Sequence, residues 1–240
     1  MDKSGLGDRM KEAYEARSRT YLTRRTPVIL RLDGKAFHTF TRGAVKPFDD
    51  SLISAMQNTM EYLVEYIQGA RLGYTQSDEI SILLCDYDRL ETDAWFDYQI
   101  QKICSVAASM ATAMFNSAFT GKFTNQFAMF DCRAFNIPQE EVSNYFLWRY
   151  QDWARNSISM VAQSMFSHRE LQGKSCKVMS KMIDEEGWKW EQYPAAYMHG
   201  TFFMKSRYNE ERGGKEFFTD LRFDRDWIDT LVKWDIYQEK

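Results

Sequence analysis

TPVILRLDG, residues 26–34, is the stretch on which the fold turns. Thr26 to Leu32 is an apolar run opened by Pro27 and closed by Asp33-Gly34, the pattern of a buried strand that ends in a turn. Downstream, from Asp49, the residues Leu52, Met56, Met60, Leu63 and Ile67 recur at helical spacing and Gly69 follows them. Arg71 to Thr75 and Glu79 to Cys85 then read as two strands joined by a short turn at Gln76, Ser77 and Asp78. A second helical pattern runs from about Asp93 to Phe119, with Phe96, Ile100, Ile103, Ala107, Met110 and Met114 on one face. QFAMFDCRAF, residues 126–135, is read as a fourth strand.

The order β-α-β-β-α-β is the split βαβ arrangement of an α+β, ferredoxin-like domain, the layout of polymerase palm domains. It puts the first strand in the sheet centre beside an antiparallel third. Asp33 at the end of one and Asp78 at the start of the other therefore meet at one sheet edge, although they lie far apart in the chain. Past Pro138 the pattern changes to a long helix from Glu140 to about Phe166, a second from Ser175 to Glu186, and strand-like HGTFFM and EFFTDL segments. We accordingly expect a palm-like catalytic domain over 1–137 and a helical/β extension over 138–240 serving RNA binding and assembly.

Composition narrows the function classes. The chain has 240 residues, is 44% hydrophobic and 15% aromatic, and carries a net charge of −3, so a core is affordable and no global field draws it to nucleic acid. Contact with RNA must use local patches. Arg17, Arg19, Arg24 and Arg25, and Lys174, Lys177 and Lys181, form basic clusters that read either as such patches or as solvated faces. Cys85, Cys104, Cys132 and Cys176 form no CxxC pair, and the N-terminus has no continuous apolar run. Both features fit a cytoplasmic protein with reduced thiols and no membrane segment. His38, His168 and His199 lack the spacing of a zinc site, and no Walker-type or GxSxG loop is present.

On its own, Asp33-Gly34 is most simply a turn and Asp78-Glu79 hairpin decoration. Their joint placement at neighbouring strand ends, with a glycine that permits close approach, suits hard divalent cations that take oxygen ligands. Two magnesium ions about 3.5–4 Å apart with a nucleoside triphosphate are the expected guests. Arg31, Lys46, Lys102 and Arg133 are candidate phosphate contacts, although each alone reads more readily as a solvated surface charge or an ion-pair partner. Lys46-Pro47-Phe48-Asp49 ends at a helix N-terminus, which reads as either a helix cap or a triphosphate contact.

RLDGKAFHTF (31–40), KPFDD (46–50), YTQSDEISIL (74–83), FDCR (130–133), YFLWRYQDWARNS (145–157), LQGK (171–174) and HGTFF (199–203), in that order, resemble the tRNA-His guanylyltransferase-like family of 3′-to-5′ reverse polymerases, in its bacterial-type branch. The resemblance implies Asp33 and Asp78 as catalytic metal carboxylates, the Gly34 carbonyl as a further metal ligand, and Glu79 as a catalytic assistant. It implies nucleotide contacts at Arg31, Lys35, Ala36, Phe37, His38, Lys46, Ser77 and Lys102, and tRNA contacts at Arg133, Arg149, Asn156 and Lys174. It also implies ATP, GTP and other NTPs as substrates and a homotetramer. The reaction implied is adenylylation of a tRNA 5′-monophosphate, followed by attack of an incoming 3′-hydroxyl that expels AMP. Eukaryotic guanylyltransferases read HINNLYN where this chain has ARNSISM (154–160), so Ala154 replaces a histidine. That departure favours templated 5′-end repair over strict tRNA-His guanylylation.

Two other readings stay open at this point. A palm-type nucleotide cyclase carries carboxylates at the same places, and a non-catalytic RNA-binding module shares the element order. The latter stacks bases on strand aromatics, and VILRLDG and EISILLC offer none.

Overall fold

The computed structural model describes residues 5–205 and 223–233. A short N-terminal helix, α1 (Gly5–Met10), precedes β1 (Val28–Gly34), α2 (Phe37–Phe40) and α3 (Asp50–Tyr66). There follow β2 (Ala70–Gln76), β3 (Glu79–Leu84), α4 (Ile100–Ala118), β4 (Phe130–Asn136) and α5 (Gln139–Met165). The rest comprises α6 (His168–Leu171), α7 (Cys176–Glu185), α8 (Ala195–His199), β5 (Thr201–Met204) and α9 (Arg225–Thr230).

The five strands form one sheet in the order β4-β1-β3-β2-β5, every neighbouring pair antiparallel. β1 therefore lies inside the sheet, flanked by β3 and β4, as the split βαβ reading requires. Successive side chains of a strand face opposite ways. Val28, Leu30 and Leu32 enter a core with Met56, Met60 and Leu63 of α3 and Ile103, Ala107 and Phe115 of α4. Ile29 enters a second core with Val142, Tyr145 and Phe146 of α5 on the opposite face. Each of these β1 aliphatics is fully buried, contributing about 1.5–3 kcal/mol. At Gly73 a side chain would meet Val64 at 2.6 Å and Met60 at 2.8 Å, so glycine is what lets α3 lie close on β2.

Several elements depart from the sequence reading. Residues 93–119 are not one helix: a tight turn at Trp95–Tyr98 holds Phe96, Asp97 and Tyr98 at positive φ before α4 begins at Ile100. Phe96 is exposed, and the buried row is Ile103, Ala107, Ala111 and Phe115. β4 starts at Phe130, four residues later than QFAMFDCRAF indicated, since Asn116 on α4 captures the Ala128 backbone through two side-chain hydrogen bonds of 2.9 Å. The region beyond Pro138 does not stand apart: β5 pairs with β2, and α5 covers one face of the sheet. EFFTDL lies outside the described residues. Among the described residues no helix is long and apolar enough to cross a membrane.

Candidate active site

β1 ends at Asp33-Gly34, and the Ser77-Asp78 turn between β2 and β3 closes over it, with the Gly34 N–H donating to the Asp78 carbonyl at 3.0 Å. Ser77 takes the left-handed conformation (φ 51°) that this two-residue connection needs. In register, Asp33 stands between Glu79 on β3 and Asp131 on β4. Asp33 and Asp78 thus share one edge. Asp131, an exposed third acid at that edge, is a neighbour that the strand reading did not single out, although it lies within the FDCR motif.

Burial pushes the Asp78 carboxyl above its ordinary range and the charge of Asp33 adds to the push, against a hydrogen bond that the Ser77 hydroxyl donates at 2.9 Å. Asp78 therefore binds its proton more tightly folded than unfolded, and stability falls as pH rises through the window above 3.8. Asp78→Asn is expected to raise the melting temperature in EDTA at pH 7 by a few degrees, roughly 2–4 °C for each kcal/mol relieved. The gain should vanish in acid below the unfolded carboxylate's range. Thermal unfolding across pH checks this, and a lower melting temperature at pH 7 contradicts it.

After Gly34 the chain turns through Ala36, in left-handed conformation (φ 53°), into α2. The Lys35 N–H donates to Met129 at 2.8 Å, and the Phe37 ring packs against Phe40, Phe115 and Phe130 at centroid distances of 5.1–5.6 Å. A side chain at Gly34 would strike the Phe37 ring at 2.2 Å. Phe37 thus anchors the loop, leaving Lys35, Ala36 and His38 exposed. Beside it opens a cleft of about 530 Å³, running from Gly34, His38, Lys46, Ser77 and Asp78 to an apolar end at Phe48, Leu52, Met56 and Trp153. Its polar wall includes Gln57, whose amide donates to Thr201 Oγ1 at 2.9 Å. The α3 N-terminus behind Lys46 is already capped: Asp49 accepts from the N–H groups of Ser51 and Leu52. KPFD is hence a helix cap with Lys46 left free to face the cleft.

A second cleft, of about 390 Å³, lies on the α5 side of the edge, lined by Asp33, Asp78, Glu79, Arg149, Asn156 and Gln163. The two clefts share Gln76, Ser77, Asp78, Trp153 and Met160. Glu79 is buried and clamped by two arginines. Arg149 donates Nε and Nη2 to it at 2.6 and 2.9 Å, and Arg31 donates Nε and Nη2 at 2.9 and 2.5 Å. Arg149 also reaches Asp152 at 3.3 Å.

These contacts relocate several expected site residues. Arg149 is 4% exposed and paired with Glu79, and it reaches the second cleft only as part of its lining. Arg31 lies under the same carboxylate on the α5 side, not in the cleft that holds Lys46. Lys102 is at the wrong end of the sheet. α4 starts beside Thr20 and Tyr21, next to Thr23, which is bonded to Asn136, and Asn136 pairs with Val28 at the far end of β1. Only the C-terminal half of α4 approaches the site, Thr112 accepting from the Phe130 N–H beside Gly34. The Lys102 ammonium instead rests over the Phe96 ring at 4.6 Å. Arg133 is exposed on β4 opposite Arg31, Asn156 is exposed in the second cleft, and Lys174 is exposed between α6 and α7, lining neither cleft.

Against known proteins, residues 7–138 match the family model described as Thg1, tRNAHis guanylyltransferase. The chain belongs to the tRNAHis guanylyltransferase family. As a member of that family it is a nucleotidyltransferase. It is similar to a solved structure of a bacterial tRNA(His) guanylyltransferase (Thg1)-like protein in complex with ATP, with 44% identity, TM-score 0.87, and coverage of 96% of this chain and 100% of that one. A second such structure, in complex with GTP, is 42% identical with TM-score 0.81, covering 95% and 99% of the two chains. The probable tRNA(His) guanylyltransferase of Drosophila melanogaster is 24% identical, covering 75% of this chain and 67% of its own length.

Proposed function

We propose that this family member adds nucleotides in the 3′-to-5′ direction to the 5′ end of tRNA, repairing truncated ends under the direction of the opposing strand. The observation that carries the reading is the pair of clefts meeting at Ser77-Asp78. The one beside Lys46 has the apolar end and the phosphate-side cation that a nucleoside triphosphate needs, and the other opens over Asp33 toward α5. Two ligands can thus face each other across one carboxylate edge. First, an oxygen of the RNA 5′-monophosphate attacks the α-phosphorus of ATP and pyrophosphate leaves. Then the 3′-hydroxyl of an incoming NTP attacks the activated 5′ phosphorus, loses its proton, and AMP leaves. No protein nucleophile is required, so the chain's part is positioning and charge.

Asp33, Asp78 and the Gly34 carbonyl would hold magnesium. Two like charges pressed together, one raised by burial, form an all-oxygen donor set of the kind magnesium shares with substrate phosphates. When bound, two such ions would activate the attacking oxygen and stabilise the leaving one. Lys46 draws in the triphosphate, the exposed Lys35-Ala36 turn flanks it, and Trp153 walls the base end.

Ala154 stands where eukaryotic guanylyltransferases have histidine, and a methyl group cannot hydrogen-bond a base or phosphate. Template pairing supplies the missing orientation. We take the protein to work in the cytoplasm, where its four thiols stay reduced, and as a homotetramer. Leu6, Met10 and Tyr14, exposed at a spacing of four, are of the kind that a subunit contact would cover.

The test is incubation with a 5′-truncated tRNA, ATP, each NTP and magnesium. Growth at the 5′ end with release of AMP supports the reading, whereas a cyclic product from ATP or GTP alone makes the protein a cyclase, and RNA binding without magnesium-dependent turnover makes it a binding module. In the same assay Lys46→Ala should raise the nucleotide KM about tenfold or more, the scale of one charge-assisted contact. Lys102→Ala should leave the KM unchanged. Equal effects of the two substitutions would contradict the placement of Lys102 at the far end of α4.

A further inference from the structure

Trp148 is a large ring left 48% exposed on α5, although its neighbours Tyr145, Phe146 and Arg149 are buried. It is held in place from behind. The Arg149 guanidinium carbon lies 4.5 Å from the ring centroid and that of Arg31 lies 5.7 Å away, both anchored on Glu79. Tyr145 meets the ring edge-on at 5.9 Å and 70°. The ring therefore has an orientation fixed by buried ion pairs while much of its surface faces solvent, a pre-organised apolar plane.

Its position carries the argument further. Arg31 and Asp33 point to the same side of β1, so the ring stands beside the strand end that bears the carboxylates. Trp148, Asp152 and Asn156, four residues apart, run along one stripe of α5, and Asn156 lines the second cleft. A flat, rigid, half-exposed ring beside Arg149, on the α5 stripe that leads into that cleft, suits a flat apolar guest. Nucleobases stack on aromatic side chains with little regard to sequence, because each base has a π-face.

We infer that Trp148 is a stacking platform for the terminal base at the acceptor end of the RNA. The inference rests on the reading that the second cleft receives the RNA 5′ end. A sequence-tolerant platform is what a repair enzyme needs, since truncation leaves any of the four bases at the terminus. Arg31 and Arg149, both paired with Glu79, orient the ring and are not themselves the stacking contact.

The experiment compares the full chain with Trp148→Leu and Trp148→Phe, using a 5′-truncated tRNA with 2-aminopurine as its terminal base. Leucine keeps an apolar cover over the arginines but removes the π-face, and phenylalanine keeps both. Trp148→Leu should weaken RNA binding about five- to a hundred-fold and relieve the quenching of 2-aminopurine fluorescence. Trp148→Phe should retain most of both, and ATP affinity measured without RNA should be equal in all three. Unquenched 2-aminopurine in the wild-type complex overturns the inference, as does unchanged RNA affinity in Trp148→Leu. A parallel loss of ATP affinity and melting temperature in Trp148→Leu also overturns it, since the ring is then only a cover for the ion pairs. If the wild-type protein binds tRNA ends with no measurable affinity, the parent reading itself fails, an outcome that the wild-type arm alone reveals.

Discussion

Replacing Asp33 or Asp78 with alanine should lower the rate of nucleotide addition by about a thousand-fold or more, because a transfer at phosphorus without a protein nucleophile depends on charge held at the reacting oxygens. Both residues sit at a strand end or turn on the sheet edge and outside the packed core, so the variants should remain folded. Removing either acid also relieves the repulsion that helps to raise Asp78. Loss of activity with an undiminished melting temperature is thus the expected signature, read by single-turnover extension and thermal unfolding on the same preparations. Near-normal turnover in either folded variant would contradict the assignment.

Glu79→Ala should show the opposite balance. Removing this carboxylate leaves Arg149 buried and without its main partner, and strips Arg31 of its partner too. Breaking a buried pair from one side costs about 3–5 kcal/mol, which in a chain of this size lowers the melting temperature by roughly 10 °C. Activity should fall as well, through displacement of the β3 end beside Asp33. Calorimetry separates the cases: a melting temperature as high as that of Asp33→Ala would show that Glu79 is no structural anchor.

The contrast between these acids marks where sequence reading reached and where it stopped. Apolar runs bounded by turn signals, together with helical apolar patterns, located β1, α3, β2, β3 and α5, and connection rules then brought Asp33 and Asp78 to one edge, because backbone pairing depends little on which side chains are involved. Side-chain partners follow no such rule. Arg149 looked like an RNA contact, since nothing in its local sequence reveals that a carboxylate on β3 waits beneath it. The position of Lys102 was hidden for another reason: the turn that holds Phe96, Asp97 and Tyr98 at positive φ is invisible to periodicity, and without it the start of α4 is set too early. The KPFD segment reads as either a cap or a ligand contact; the hydrogen bonds of Asp49 show the cap, and Lys46, which takes no part in them, lines the cleft. Trp153, shared by both clefts, could not be singled out from sequence, since a ring in a helical apolar stripe gives no sign that one flank lines a cavity.

The central claim is templated addition at a tRNA 5′ end. It is tested most directly with tRNAs that lack the first nucleotide and differ only in the base opposite the gap, each offered all four NTPs with ATP and magnesium. The account predicts that the added nucleotide follows the opposing base by Watson-Crick pairing, in histidine and non-histidine tRNAs alike. Equal addition of guanosine opposite every base, or extension of histidine tRNA alone, would contradict it.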